Sequence, residues 1–229
     1  MSEEWRTFLY PFGFVSAFAF GARFIVQWLQ SEKAHKSIVP ASFWILSLIG
    51  NISLLIHSFV QIQFAVSLIQ SCNAVISWRN LNLMQKKRPP ASFRKVCYLI
   101  AGAIFLTLAS FAIQDRLLLH DGGWMRVPTA PWQQPSARSI SSFWHILGAF
   151  AYLLFSSRFW IQWWYAEKEM NSTLPLSFWW LSIFGALLSI VYFVRIGDSV
   201  NLIGPLTGLI PYLRNLMLLR SEKTAPQNL

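Results

Sequence analysis

Long apolar stretches separated by short polar joints dominate the chain. Runs of about 20 residues, the length that crosses the hydrocarbon core of a bilayer as a helix, fall near 8–30, 43–62, 64–84, 96–119, 142–165, 178–197 and 199–219. The pattern predicts seven helices. The third is the most polar: Ser67, Gln70, Ser71, Asn73 and Ser77 interrupt it, as in a helix packed inside protein with little lipid contact.

The pattern also repeats. Shifting the chain by 135 residues lays Arg23 to Gly50 over Arg158 to Gly185 without a gap. Arg23, Phe24, Gln27, Trp28, Glu32, Lys33, Ser37, Pro40, Ser42, Phe43, Trp44, Leu46, Ser47 and Gly50 all meet an identical residue. The same shift brings Arg79-Asn80-Leu81 onto Arg214-Asn215-Leu216. Such self-similarity marks a duplication. With one apolar run left between the copies, the expected fold is an all-α membrane protein of seven transmembrane helices, arranged as two parallel three-helix repeats joined by a linker helix, three plus one plus three. The division that follows is 1–85 for the first repeat, 86–141 for a basic link, the linker helix and an outer loop, 142–220 for the second repeat and 221–229 for a tail.

Composition sharpens the membrane reading. Hydrophobic residues make up 55% of the 229-residue chain, charged residues only 12% and mean hydropathy is +0.43, whereas a soluble domain is roughly a quarter charged. Twelve Trp and nineteen Phe suit the two lipid–water interfaces. A formal charge of +10 would suggest nucleic-acid binding in a soluble protein, but the Lys and Arg sit in joints at the ends of apolar runs, so no nucleic-acid partner is expected. Lys33, Lys36, Lys86, Lys87, Arg88, Arg94, Lys95, Lys168, Arg220 and Lys223 mark one set of ends, which the positive-inside rule assigns to the cytoplasm. Arg6, Arg116, Arg126 and Arg138 and the 120–141 loop mark the other, so the N-terminus is expected outside and the C-terminus inside. The acidic start at Glu3 and Glu4, with no small-residue cleavage site after the first run, reads as a retained helix.

Arginines within or at the edges of apolar runs are the candidates for chemistry. They are Arg23, Arg79, Arg158, Arg195 and Arg214, and a charge at the middle of a membrane helix costs about 2.5–3.5 kcal/mol on insertion scales. Four are repeat-related. Arg23, Arg79, Arg158 and Arg214, with Gln27, Asn80, Gln162 and Asn215, form an expected substrate-binding set suited to phosphate or pyrophosphate, since guanidinium bonds phosphate oxygens bidentately and amides bond sugar hydroxyls. The alternative is that Arg23 pairs with Glu32 or with backbone carbonyls and pins a helix end. Pro40 and Ser42, and Pro175 and Ser177, read as helix starts, with the serines as caps and the proline joints as hinges. A helix start is also an anion site. Cys72, Cys97 and the four histidines have no metal-ligand spacing, no glycine-rich phosphate loop is present and no carboxylate pair suggests acid–base catalysis, so no catalytic residue, metal or cofactor is expected.

The motifs Arg23-Phe24-x-x-Gln27-Trp28-x-x-x-Glu32-Lys33, Ser37-x-x-Pro40-x-x-Phe43-Trp44 and Arg79-Asn80-Leu81, each repeated 135 residues later, resemble the lipid A biosynthesis N-terminal domain family. The resemblance covers nearly all of both repeats, leaving out the linker helix and the 120–141 loop. More distantly, the layout is similar to PQ-loop and SWEET-type transporters, although Pro40-Ala41 and Pro175-Leu176 lack the Pro-Gln dipeptide. The family occurs at the N-terminus of some lipid-A-disaccharide synthases, which join two acylated glucosamines from a UDP-sugar donor. Only ten residues follow Leu219, too few for a nucleotide-sugar domain, so synthase activity is not expected here and the chain is read as a non-enzyme. The resemblance implies a bacterial inner-membrane protein that binds and translocates a phosphate-bearing glycolipid or polyprenyl-phosphate sugar, with an anionic glycolipid as its membrane partner. The alternative it implies is a non-catalytic membrane platform for a glycosyltransferase partner. A small-sugar carrier of SWEET type fits less well, because buried arginines would stay uncompensated around a neutral sugar.

Overall fold

A computed structural model describes residues 3–118 and 141–224. The expected outer loop at 120–141, with Arg126 and Arg138, and the end of the 221–229 tail lie outside the described residues except for Ser141 and residues 221–224. Eight helices are described: α1 (Glu3–Leu9), α2 (Phe12–Ala34), α3 (Ala41–Val60), α4 (Phe64–Met84), α5 (Phe93–Leu118), α6 (Ser142–Glu169), α7 (Leu176–Ile196) and α8 (Ser199–Thr224). Each apolar run forms a helix. Pro11 separates α1 from α2, as expected of a residue that cannot donate to the helix ladder.

The transmembrane count differs from the expectation. Among the described residues five helical segments are long and apolar enough to cross a membrane: Trp5–Ala34, Ala41–Val60, Phe93–Leu117, Leu176–Ile196 and Asn201–Arg220. Seven spans in a three-plus-one-plus-three arrangement are therefore corrected to five. Helices α4 and α6 drop out for a compositional reason. Ser67, Gln70, Ser71, Asn73, Ser77, Arg79 and Asn80 form much of the buried face of α4, and α6 buries Ser156, Arg158 and Gln162. Both helices place their polar groups against protein, where partners can satisfy them.

Contacts run from α2 to α3, α3 to α4, α4 to α6, α6 to α7, α7 to α8 and α8 back to α2, which closes a ring of six helices; α5 packs outside it against α4. The interior of the ring is aromatic. Phe24, Phe43, Trp44, Phe159, Phe178, Trp179 and Tyr212 are all buried in one cluster, and most neighbouring rings meet edge-on, the arrangement favoured by the ring quadrupole. Large apolar side chains such as Phe18, Phe105, Leu153, Val194 and Ile210 point outward, as lipid-facing residues do.

Helix ends repeat as well, with one informative exception. His35 and Met170 close α2 and α6 in the left-handed conformation (φ 51° and 49°), and Lys36 and Asn171 N–H groups bond back to the Ser31 and Ala166 carbonyls, the Schellman arrangement. After α7 the left-handed residue is Gly197 (φ 75°), but at the equivalent point after α3 it is Ile62 (φ 58°), where a β-branched side chain is strained. At the starts of α3 and α7, Pro40 and Pro175 occupy the cap positions in extended conformation with no side-chain cap bond. The Phe43 and Phe178 N–H groups bond to the proline carbonyls instead, and the Ser42 and Ser177 hydroxyls are buried without partners. These serines lie two residues past the cap position, too far into the helix to cap it.

Candidate functional site

The sequence repeat becomes an exchange of side chains between the two halves. At one end of the ring the Arg79 guanidinium bonds both Glu167 carboxylate oxygens, Nε to Oε1 at 2.6 Å and Nη2 to Oε2 at 2.7 Å. Its repeat partner Arg214 makes the same two-pronged bridge to Glu32. Trp28 and Trp163 indole N–H groups donate to the same two carboxylates, each at 2.8 Å. The Gln27 amide exchanges two hydrogen bonds with Asn215, at 2.7 and 2.9 Å, and Gln162 does the same with Asn80, at 2.7 and 3.1 Å. Ser37 and Ser172 hydroxyls donate to the Asn215 and Asn80 carbonyl oxygens. Of the eight residues expected to bind substrate, six are thus engaged in bonds that tie helices together. Glu32 pairs with Arg214 and not with Arg23. The sequence signal for this was present, because both members of each Arg–Glu pair recur at the same offset.

The other two face a cavity inside the ring. Arg23 and Arg158 are 3% and 1% exposed, and both guanidinium carbons lie within 5.0 Å of the Phe159 ring centroid. Arg23 also lies over Phe20 and Phe24, and Arg158 lies 3.6 Å from the Phe155 centroid; such contacts use the negative ring faces to offset part of the cost of burying a cation. Arg23 donates from Nη1 to Ser47 Oγ at 3.0 Å. Ser182, the repeat equivalent of Ser47, gives its hydroxyl to the Phe178 carbonyl and makes no such bond to Arg158.

Both arginines line a cavity of about 70 Å³ that also touches Asn51, Gln70, Asn73, Tyr152, Ser156 and Ser189. These polar neighbours were not singled out from the sequence as binding residues, because the repeat alignment does not mark them: Gln70, Asn73 and Tyr152 match Pro205, Gly208 and Ala17. Gln70 Nε2 donates to the Tyr152 hydroxyl at 2.9 Å, closing one wall. Among the described residues no group of three His, Cys, Asp or Glu side chains is placed to hold a metal.

Comparison with known proteins gives the arrangement a context. The model of the Lipid A Biosynthesis N-terminal domain matches twice, at residues 12–82 and 147–217. A protein of Chlamydia felis named lipid-A-disaccharide synthase is 37% identical over 222 residues, which cover 96% of this chain and 34% of that protein. The synthases of Chlamydia pneumoniae and Chlamydia muridarum are 37% and 38% identical over 94% and 93% of this chain, in each case 34% of their own length. The chain spans about a third of the length of these curated relatives. No solved structure matches.

These relatives overturn two expectations. A dedicated flippase or transporter, whether of glycolipid or of sugar, and the similarity to PQ-loop and SWEET-type carriers give way to homology with proteins named as synthases. The reading of the chain as a non-enzyme falls on the same finding. Structurally, the charges that the carrier reading reserved for a moving phosphate are largely committed: Arg79 and Arg214 already hold carboxylates.

Proposed function

The chain belongs to the lipid A biosynthesis N-terminal domain family, and from that premise we propose that it is the membrane-embedded portion of a lipid-A-disaccharide synthase system, holding glycosyl transfer at the bacterial inner membrane where the acylated sugar resides. The observation that carries this reading is the match of 96% of the chain to 34% of a synthase: the helical ring corresponds as a whole to one part of that protein. In the reaction it supplies a fixed, lipid-facing seat, and the glycosyltransferase portion is its partner.

Orientation completes the proposal. The bridges from Arg79 to Glu167 and from Arg214 to Glu32 draw the neighbouring Lys33, Lys168, Arg220 and the exposed Lys86, Lys87 and Arg88 toward one end of the ring. That end faces the cytoplasm, and the strongly basic joint between α4 and α5 is where a transferase portion and anionic lipid headgroups are met. Arg23 and Arg158 are the residues of the expected set that contact a ligand, and the amide pairs and bridges hold the cytoplasmic end rigid.

The test is the disaccharide itself. Membranes from cells lacking this protein are supplied with a labelled UDP-sugar and an acylated glucosamine phosphate, and disaccharide formation is followed. Transfer that drops and is restored by the intact chain supports the proposal; transfer unchanged by its loss sinks it.

A further inference from the structure

Two cations buried side by side need a counter-charge. The residues lining the Arg23–Arg158 cavity include neither Asp nor Glu, and Glu167 and Glu32 bridge Arg79 and Arg214 instead. The aromatic faces around the two guanidinium groups recover only part of the desolvation cost. Hydrogen-bonding capacity is left over as well. Arg23 Nε, Arg158 Nε and Nη1, and the hydroxyls of Ser156 and Ser189 are buried without a partner, a concentration of idle donors that a folded protein rarely tolerates. Gln70 Oε1 and Asn73 Oδ1 are unpartnered too, and turning either terminal amide about its last bond presents NH₂ in place of oxygen.

We propose that this cavity is a binding site for a phosphate group, held between Arg23 and Arg158 inside the helical ring. Its dianionic charge balances the two arginines, and its oxygens accept from Arg158 Nε and Nη1, from Arg23 Nε and from the Ser156 and Ser189 hydroxyls. The size agrees. A cavity of about 70 Å³ has room for several water molecules, and so for a four-oxygen anion. Arg158 is the principal ligand, because its repeat partner already spends one nitrogen on Ser47. The site is a resting position and implies no movement of the ligand across the membrane. It stands on the geometry of the cavity and is independent of the glycosyl-transfer reading.

The experiment uses the full chain in a neutral maltoside detergent, titrated separately with inorganic phosphate and with phosphatidic acid while thermal unfolding is followed. Binding is expected to raise the midpoint by several degrees in at least one series. A rise with inorganic phosphate identifies a free anion as sufficient; a rise with phosphatidic acid alone identifies a lipid headgroup. Arg158→Gln is expected to weaken binding at least tenfold, and Arg116→Gln, at the exposed far end of α5, to leave it unchanged. Ser156→Leu keeps both arginines and fills the cavity, and it should lose binding even if Arg158→Gln fails to fold. No shift with either ligand in the wild-type protein, or binding that survives Ser156→Leu, overturns the proposal, as does binding lost in Arg116→Gln but kept in Arg158→Gln. Absence of phosphate binding in the wild-type protein with disaccharide formation intact would remove this site and leave the synthase reading standing.

Discussion

A pair of bridges related by the sequence repeat shows how far context alters one interaction. Arg79 and Glu167 are 1% and 10% exposed, whereas Arg214 and Glu32 are 43% and 31% exposed. Removing one member of a buried pair strands the other charge, which typically costs about 3–5 kcal/mol, and Arg79 also bonds Asn82 and the Ala91 carbonyl. Arg79→Gln is therefore expected to lower stability by about 3 kcal/mol or more in detergent unfolding. Arg214→Gln should cost far less and lose its effect at high salt, where exposed pairs are screened. Equal costs for the two variants would contradict the burial argument. A second contrast lies at Gly197 and Ile62. Nothing lies within 4 Å of a Cβ built on Gly197, so Gly197→Ala tests backbone strain alone, and a loss of about 1–2 kcal/mol is expected.

Between elements, small residues and amides set the distances. A Cβ on Gly185 would lie 2.6 Å from the Phe155 Cα, so α6 and α7 must separate to admit it, whereas a Cβ on the repeat-related Gly50 would meet only the Phe20 ring, at 2.4 Å. Gly185→Ala is expected to cost about 1–3 kcal/mol through overpacking and Gly50→Ala less, provided the Phe20 side chain can rotate aside; the thermal midpoints of the two variants check the order. Asn80 and Gln162 offer a second measurement at this scale. A double-mutant cycle to alanine should return a coupling of about 1 kcal/mol, and a coupling near zero would mean that the amides bond independently.

The helices were legible because apolar run length and polar joints act locally: α3 and α4 were expected at 43–62 and 64–84 and stand at Ala41–Val60 and Phe64–Met84. Spanning was less legible. The polar interruptions of α4 marked it as packed against protein, but apolar length did not distinguish α6, whose Ser156 and Arg158 turn inward, from a helix sheathed by lipid. At the candidate site the repeat picked out Arg23 and Arg158 but grouped them with Arg79 and Arg214, because a one-dimensional pattern says which positions recur and not which recurring positions meet. Gln70 and Asn73 were legible only as polar positions of an inward-packed helix, and Tyr152 carried no signal, since the repeat matches the three with Pro205, Gly208 and Ala17.

At the scale of the molecule, charge placement gives the plainest expectation. A cysteine at Lys87, with Cys72 and Cys97 replaced by serine, should react with an impermeant maleimide only after the inner membrane is opened; labelling of intact spheroplasts would reverse the proposed orientation. The exchanged amides and bridges carry a different implication. Each half of the chain supplies hydrogen-bond partners to the other: Gln27 and Glu32 pair with Asn215 and Arg214, and Asn80 and Arg79 with Gln162 and Glu167. Neither half is chemically self-sufficient. A protein carrying only one copy of the motif would leave these amide and guanidinium groups without the partners they have here.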